Sequence, residues 1–167
     1  MIELILGGAR SGKSRLAERL AGESGLPVTY IATSQPLDGE MSARIAHHQA
    51  RRPAGWGLIE EPLALAAALR AQAAPDRCLL VDCLTLWLTN LMLEEHGLAA
   101  AIEALELAVE ARRGPTVLVS NEVGLGIVPE SALARTFRDE AGRLHQRLAA
   151  RAGHVLFMVA GIPMIVK

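Results

Sequence analysis

The segment Gly7-Gly8-Ala9-Arg10-Ser11-Gly12-Lys13-Ser14 constrains this chain more than any other. Its spacing is G-x-x-x-x-G-K-S. In that pattern backbone N–H groups wrap phosphates, lysine reaches the terminal ones, and the hydroxyl serves a metal ion. The flanks agree with it. Met1 to Leu6 is an apolar run that reads as a buried strand. Leu16, Ala17, Leu20 and Ala21 recur on one face of a helix. Strand, glycine loop and helix is the order that aims a helix N-terminus at an anion. The lysine itself is informative. The chain has two lysines, Lys13 and the final Lys167, against fifteen arginines. Positive charge elsewhere is supplied by arginine, so this slot requires a compact ammonium rather than a guanidinium fork.

Length and balance narrow the rest. The 167 residues suit a single domain spanning 1–167. Net charge is −1, which gives no footprint for nucleic acid or an anionic membrane. No apolar stretch has the length of a membrane span, and the opening strand leaves no room for a signal peptide. Cys78 and Cys83 match no zinc spacing. They read as reduced cysteines of a cytoplasmic protein, with side chains on opposite faces of one strand.

Strand-like runs recur at 2–6, 28–32, 78–82, 116–120 and 154–160. Helical patterns fall at about 12–22, 38–51, 62–72, 92–112 and 131–151. This alternation predicts an α/β fold, a mostly parallel twisted sheet with helices on both faces. The close return through Ile162 to Val166, past Pro163, predicts a short antiparallel edge strand.

Ligands of such sheets sit at the C-terminal strand ends. The second strand ends at Thr33, Ser34 and Gln35, the third at Asp82, the fourth at Asn121 and Glu122. An apolar strand ending in aspartate, as Cys78 to Asp82 does, is the Walker B pattern. Asp82 and Ser14 are therefore candidates to share Mg²⁺. A separate N-cap role for Asp82 fits the same letters.

Arg44, His47, His48, Arg51 and Arg52 share or flank one face of the 38–51 helix. On periodicity alone this is a solvated basic face. Positive neighbours also favour a neutral imidazole, and a neutral imidazole attacks phosphorus. Spacing does not separate His47 from His48. The loop Asn121 to Pro129 is long for so small a protein. Arg135, Arg138, Asp139 and Arg143 on the next helix fit either a site or surface ion pairs.

Taken together, these segments resemble the bifunctional adenosylcobinamide kinase/adenosylcobinamide-phosphate guanylyltransferases. The matching residues are Gly7 to Ser14, Tyr30 to Gln35, Arg44 to Pro53, Asn121 to Gly124 with Val128-Pro129, and Phe137-Arg138-Asp139. The resemblance implies a P-loop NTPase fold and two reactions, with ATP or GTP as kinase donor and GTP as GMP donor. Adenosylcobinamide would be phosphorylated, and its phosphate would then receive GMP through a GMP–histidine intermediate. The resemblance assigns the histidine to His48, four residues after Arg44. It assigns nucleotide contacts to Gly7 through Ser14, Thr33, Ser34, Gln35, Gln49, Ala50, Arg51, Glu60 and Asp82. It also implies a homotrimer whose site lies partly between subunits. A simpler small-molecule kinase would keep Lys13, Ser14 and Asp82 without needing a histidine. A GTP switch would need an N-K-x-D segment, and no lysine is present to form one.

Overall fold

A computed structural model of the protein describes residues 1–35, 53 and 55–167. The elements are β1 (Ile2–Gly7), α1 (Lys13–Glu23), β2 (Val28–Ala32), β3 (Gly57–Glu60), α2 (Leu65–Gln72), β4 (Cys78–Asp82), α3 (Leu84–Leu93), α4 (Leu98–Glu110), β5 (Thr116–Asn121), α5 (Ala132–Arg151), β6 (His154–Val159) and β7 (Ile162–Ile165). Seven strands form one sheet in the order β3-β2-β4-β5-β1-β6-β7. All neighbours are parallel except β6 and β7, the antiparallel edge pair. The helix expected over 38–51 lies outside the described residues.

Alternation along the strands builds two cores. Leu4, Leu79, Val81 and Leu118 point to one face, where α2 to α5 pack with Trp87, Leu88, Leu105, Leu144 and Leu148. Ile5, Tyr30, Leu80, Val117 and Val119 point to the other, against Leu16, Ala17 and Ala21 of α1. Both sheet faces are thus buried, which is why β2 and β4 read as unbroken apolar runs. Among the described residues no helix is long and apolar enough to cross a membrane.

Two elements departed from expectation. The helix expected at about 92–112 begins only at Leu98, as α4, while α3, ending at Leu93, was not expected; the two are separated at Glu95, whose φ of 52° no helix accommodates, and at Gly97. Most of α3 buries Leu84, Thr85, Trp87, Leu88, Asn90 and Leu91, so its apolar stripe is too wide to show a helical period. The four-residue edge strand β3 is largely exposed and carries no alternation. Cys78 and Cys83 are also corrected. Both are buried free thiols in the same core, on the α1 side of the sheet. Cys83 lies past the last residue of β4, where strand alternation no longer sets direction. Burial first, then the neighbouring Asp82 charge, pushes its thiol up to about 11.

α4 and α5 are joined by charge. Buried Glu106 of α4 receives both Arg147 and Arg151 of α5, and Arg151 also reaches Glu110 at 2.6 Å. Glu106 is nearly enclosed, so its two guanidinium partners are what make its burial tolerable.

Candidate active site

The turn after β1 is shaped by two glycines. Gly7 has φ 149°, and a Cβ there would sit 2.7 Å from the Met158 carbonyl oxygen of β6. Gly12 has φ 97° and directly precedes α1. A side chain would strain either position. α1 begins at Lys13 with no side-chain cap, leaving its first N–H groups open to an anion. Ser11 Oγ is buried in this turn without a hydrogen-bond partner among the described residues. Such an atom is satisfied when a phosphate oxygen arrives.

Lys13 is 6% exposed, and its Nζ donates to the Gly8 carbonyl at 2.6 Å. Burial lowers its pKa, while the charges of Cys83 and Asp82 act in the opposite direction. The ammonium therefore lies folded over its own loop, close to the end of β4. Asp82 ends β4 beside Ala32 of β2. Its Oδ2 accepts from the Tyr30 hydroxyl at 3.0 Å. It does not cap α3, whose first turn is preceded by Cys83.

Thr33 is fully buried and works within the scaffold. Its hydroxyl donates to the Cys83 carbonyl at 2.7 Å and accepts from the Cys83 N–H at 2.9 Å. Asn90 Nδ2 donates to the Thr33 carbonyl at 2.8 Å. These bonds lock the ends of β2 and β4 together. Ser34 and Gln35 follow, half-buried. Glu60 ends β3, next to Ala32 in register. On the other side of β4, Asn121 ends β5 level with Gly7, and Glu122 N–H donates to the Gly7 carbonyl at 3.0 Å. The phosphate loop, Asp82, Glu60 and Glu122 thus lie at one end of the sheet. His48, Gln49, Ala50 and Arg51, with Arg44 and His47, lie outside the described residues. Arg138 pairs with Asp139 at 2.8 Å and Arg143 with Glu140, the surface alternative for that helix.

Sequence reasoning misses Ser120 and His145, and it notes Tyr30 only within a matching segment, without a role. Tyr30 sits inside an apolar strand, and its role depends on a residue 52 positions away. His145 Nε2 lies 2.7 Å from Ser120 Oγ, and His145 Nδ1 lies 3.6 Å from Glu122 Oε2.

The donor set suits Mg²⁺. Among the described residues no three His, Cys, Asp or Glu side chains form a metal cage. Mg²⁺ does not need one, because it takes one or two protein oxygens and completes its shell with phosphate and water. Ser14 and Asp82 would hold it.

Comparisons with known proteins bear on this geometry. The chain is similar to the RadB recombinase structure, with a TM-score of 0.52 and 14% identity, covering 93% of this chain and 73% of that one. It is similar to the flagellar accessory protein FlaH from Methanocaldococcus jannaschii, with a TM-score of 0.52 and 15% identity over 99% of this chain and 77% of that one. These likenesses show the fold, a mostly parallel sheet covered by helices. Residues 3–166 match the family model for cobinamide kinase / cobinamide phosphate guanyltransferase. The chain is 62% identical to the bifunctional adenosylcobalamin biosynthesis protein CobP of Pseudomonas aeruginosa, covering 100% of this chain and 98% of that protein. It is 45% identical to CobU of Escherichia coli and 47% identical to CobU of Salmonella typhimurium, each over the full length of both proteins. A nucleotide loop kept whole, on the fold that uses it, with likeness along the entire chain, leads to one conclusion: the chain belongs to the cobinamide kinase/cobinamide phosphate guanyltransferase family and is a bifunctional enzyme of adenosylcobalamin biosynthesis.

Proposed function

We propose that this single domain runs both reactions from one triphosphate site. In the first, the aminopropanol hydroxyl of adenosylcobinamide attacks the γ-phosphorus of ATP or GTP. A new P–O bond forms, and the bond to the β-phosphate breaks to release the nucleoside diphosphate. In the second, a ring nitrogen of His48 attacks the α-phosphorus of GTP and releases pyrophosphate. An oxygen of adenosylcobinamide phosphate then attacks the same phosphorus. The P–N bond breaks, the imidazole is restored, and adenosyl-GDP-cobinamide leaves. Splitting the transfer in two replaces one difficult displacement with two easier ones.

The observation that most supports this reading is the buried Lys13 ammonium, poised between the phosphate loop and Asp82. It would leave the Gly8 carbonyl to meet the nucleotide's β- and γ-phosphates. Gly7 through Ser14 would line the triphosphate. Ser34, Gln35, Gln49, Ala50, Arg51 and Glu60 complete the proposed nucleotide contacts; Thr33, expected among them, is buried and instead holds the strand ends through its bonds to Cys83. Arg44 and Arg51 or Arg52 would steady the phosphate on His48. Bound Mg²⁺ supplies charge neutralisation for the triphosphate.

The test is covalent labelling. Incubation with GTP and Mg²⁺ should add one GMP, mapped by mass spectrometry to His48. A plain small-molecule kinase would gain no mass, and that result would reject the nucleotidyl step. Asp82→Asn should raise the Mg²⁺ concentration for half-maximal kinase activity by about tenfold, the ~1.4 kcal/mol expected for a weakened charge-assisted ligand. An unchanged Mg²⁺ titration would remove Asp82 from the metal site.

The proposed assembly is a homotrimer acting in the cytoplasm. Exposed Leu125, Ile127, Ile162, Met164 and Ile165 leave apolar surface available for subunit contact. Light scattering at micromolar concentration should give three times the chain mass. A monomer mass would reject the trimer.

A further inference from the structure

Two carboxylates compete for the role of kinase base by their strand-end positions, Asp82 and Glu122. Their surroundings separate them. Asp82 accepts from the Tyr30 hydroxyl and faces the Lys13 ammonium, a setting suited to an anion that holds metal. Among the described residues, the polar side-chain contacts of Glu122 are an imidazole and a backbone N–H. Its Oε1 accepts from Gly124 N–H, and its Oε2 lies 3.6 Å from His145 Nδ1. Its own backbone N–H is bonded to Gly7, where the phosphate loop begins. A Cβ on Gly124 would fall 2.8 Å from Oε1, so the loop closes tightly on this carboxylate.

His145 is buried on α5, and its far nitrogen meets Ser120 Oγ at 2.7 Å. Burial lowers its pKa, with the Glu122 charge and hydrogen-bonding position pulling the other way. A neutral imidazole carries one N–H. A carboxylate only accepts, so the favourable tautomer places that N–H on Nδ1, facing Glu122. Nε2 then accepts from the Ser120 hydroxyl. The 3.6 Å separation is longer than a hydrogen bond, and such contacts commonly tighten when substrate binds. Serine, histidine and glutamate in series also occur in hydrolases. Here Ser120 is 0% exposed, so no substrate reaches it as a nucleophile.

We propose that His145, fixed by Ser120, is a positioning residue that aims the Glu122 carboxylate at the phosphate loop, where it takes the proton of the substrate hydroxyl in the kinase reaction. The inference rests on the kinase reading above. As the hydroxyl oxygen bonds the γ-phosphorus, its proton passes to a Glu122 oxygen. The electron pair of the broken bond leaves on the nucleoside diphosphate, and Glu122 later returns its proton to water. The second reaction has no hydroxyl to deprotonate, because its acceptor is already a phosphate.

The experiment uses the full-length enzyme with adenosylcobinamide, nucleoside triphosphate and Mg²⁺ for the kinase step. Separately supplied adenosylcobinamide phosphate and GTP report the transfer step. Glu122→Gln should lower kinase kcat by about 10²- to 10⁴-fold, the usual span for a general base, with KM for nucleotide little changed. His145→Leu should lower the same kcat by about 10-fold or more, and the double variant should fall no further than Glu122→Gln alone. His145→Asn places an amide N–H near the position of Nδ1 and should recover most of the loss. GMP transfer should persist in all of them. A Glu122→Gln enzyme with normal kinase kcat would overturn the role of Glu122. Equal losses of both reactions in His145→Leu and His145→Asn would make His145 a folding residue and overturn its positioning role. Wild-type enzyme that phosphorylates no adenosylcobinamide would overturn the kinase reading itself, and this inference with it.

Discussion

Lys13→Ala should abolish both reactions while leaving the protein folded. Both need a triphosphate in the same loop, and the chain has no second lysine inside its fold to compensate. Removing one preorganised cationic donor from a phosphoryl-transfer site costs on the order of 10²- to 10³-fold in kcat, and loss of binding adds to that. Stability should move the other way. The folded-state pKa of Lys13 is lowered by burial. A group whose folded pKa lies below its unfolded value opposes folding while it is charged, and that cost is relieved only as pH rises through the folded pKa. Below the folded pKa the cost is present in full. The alanine variant should therefore melt no lower than wild type, and circular dichroism with differential scanning calorimetry would check this. Near-normal activity in either reaction would refute the single-loop account. A lowered Tm would show that Lys13 also supports the empty fold.

The second large effect separates the chemistries. His48→Ala should abolish GMP labelling and guanylyl transfer, a loss of several orders of magnitude, because the transferred group has no nitrogen to occupy. Phosphorylation of adenosylcobinamide should remain measurable, since the substrate hydroxyl attacks the γ-phosphate itself. His47→Ala should leave both intact. Labelling that survives in His48→Ala and vanishes in His47→Ala would shift the assignment by one residue. Labelling that survives in both would exclude the histidine route.

How much of this was legible in the sequence depended on range. The phosphate loop is a local device. Its glycines, lysine and flanking periodicities lie within 23 residues, and the structure places β1 and α1 around them. The five interior strands were legible because a parallel sheet covered on both faces demands continuous apolar runs, as in Val28–Ala32 and Cys78–Val81. α3 was hidden by its own burial, and β3 by its shortness at the sheet edge. The Ser120–His145–Glu122 series was invisible for another reason. His145 sits in an amphipathic helix at a core position, where an apolar residue would satisfy the same pattern. Only the packing of α5 against the end of β5 gives its ring partners. The two cysteines show the same limit from the other side, since a period of two predicts direction only while the strand lasts.

α5 is a lever. At 20 residues it is about 30 Å long. Its buried residues, Ala141, Leu144, His145 and Leu148, run from its midpoint toward its C-terminal end. The arginines clamped to Glu106 and Glu110 lie there as well. Before Ala141 no residue of the helix is fully buried, and Phe137 is half-buried against the core. At the N-terminal tip, Ser131 caps the helix and Arg135 donates to the carbonyls of Pro129 and Glu130, so the preceding loop is tied to it. With the fulcrum near the middle, a tilt of about 5° over a ~15 Å arm moves the tip by roughly 1 Å and leaves residues near the fulcrum almost in place. Leu125 and Ile127 of that loop are exposed. His145, beside the fulcrum, would keep its place next to Glu122 through such a tilt.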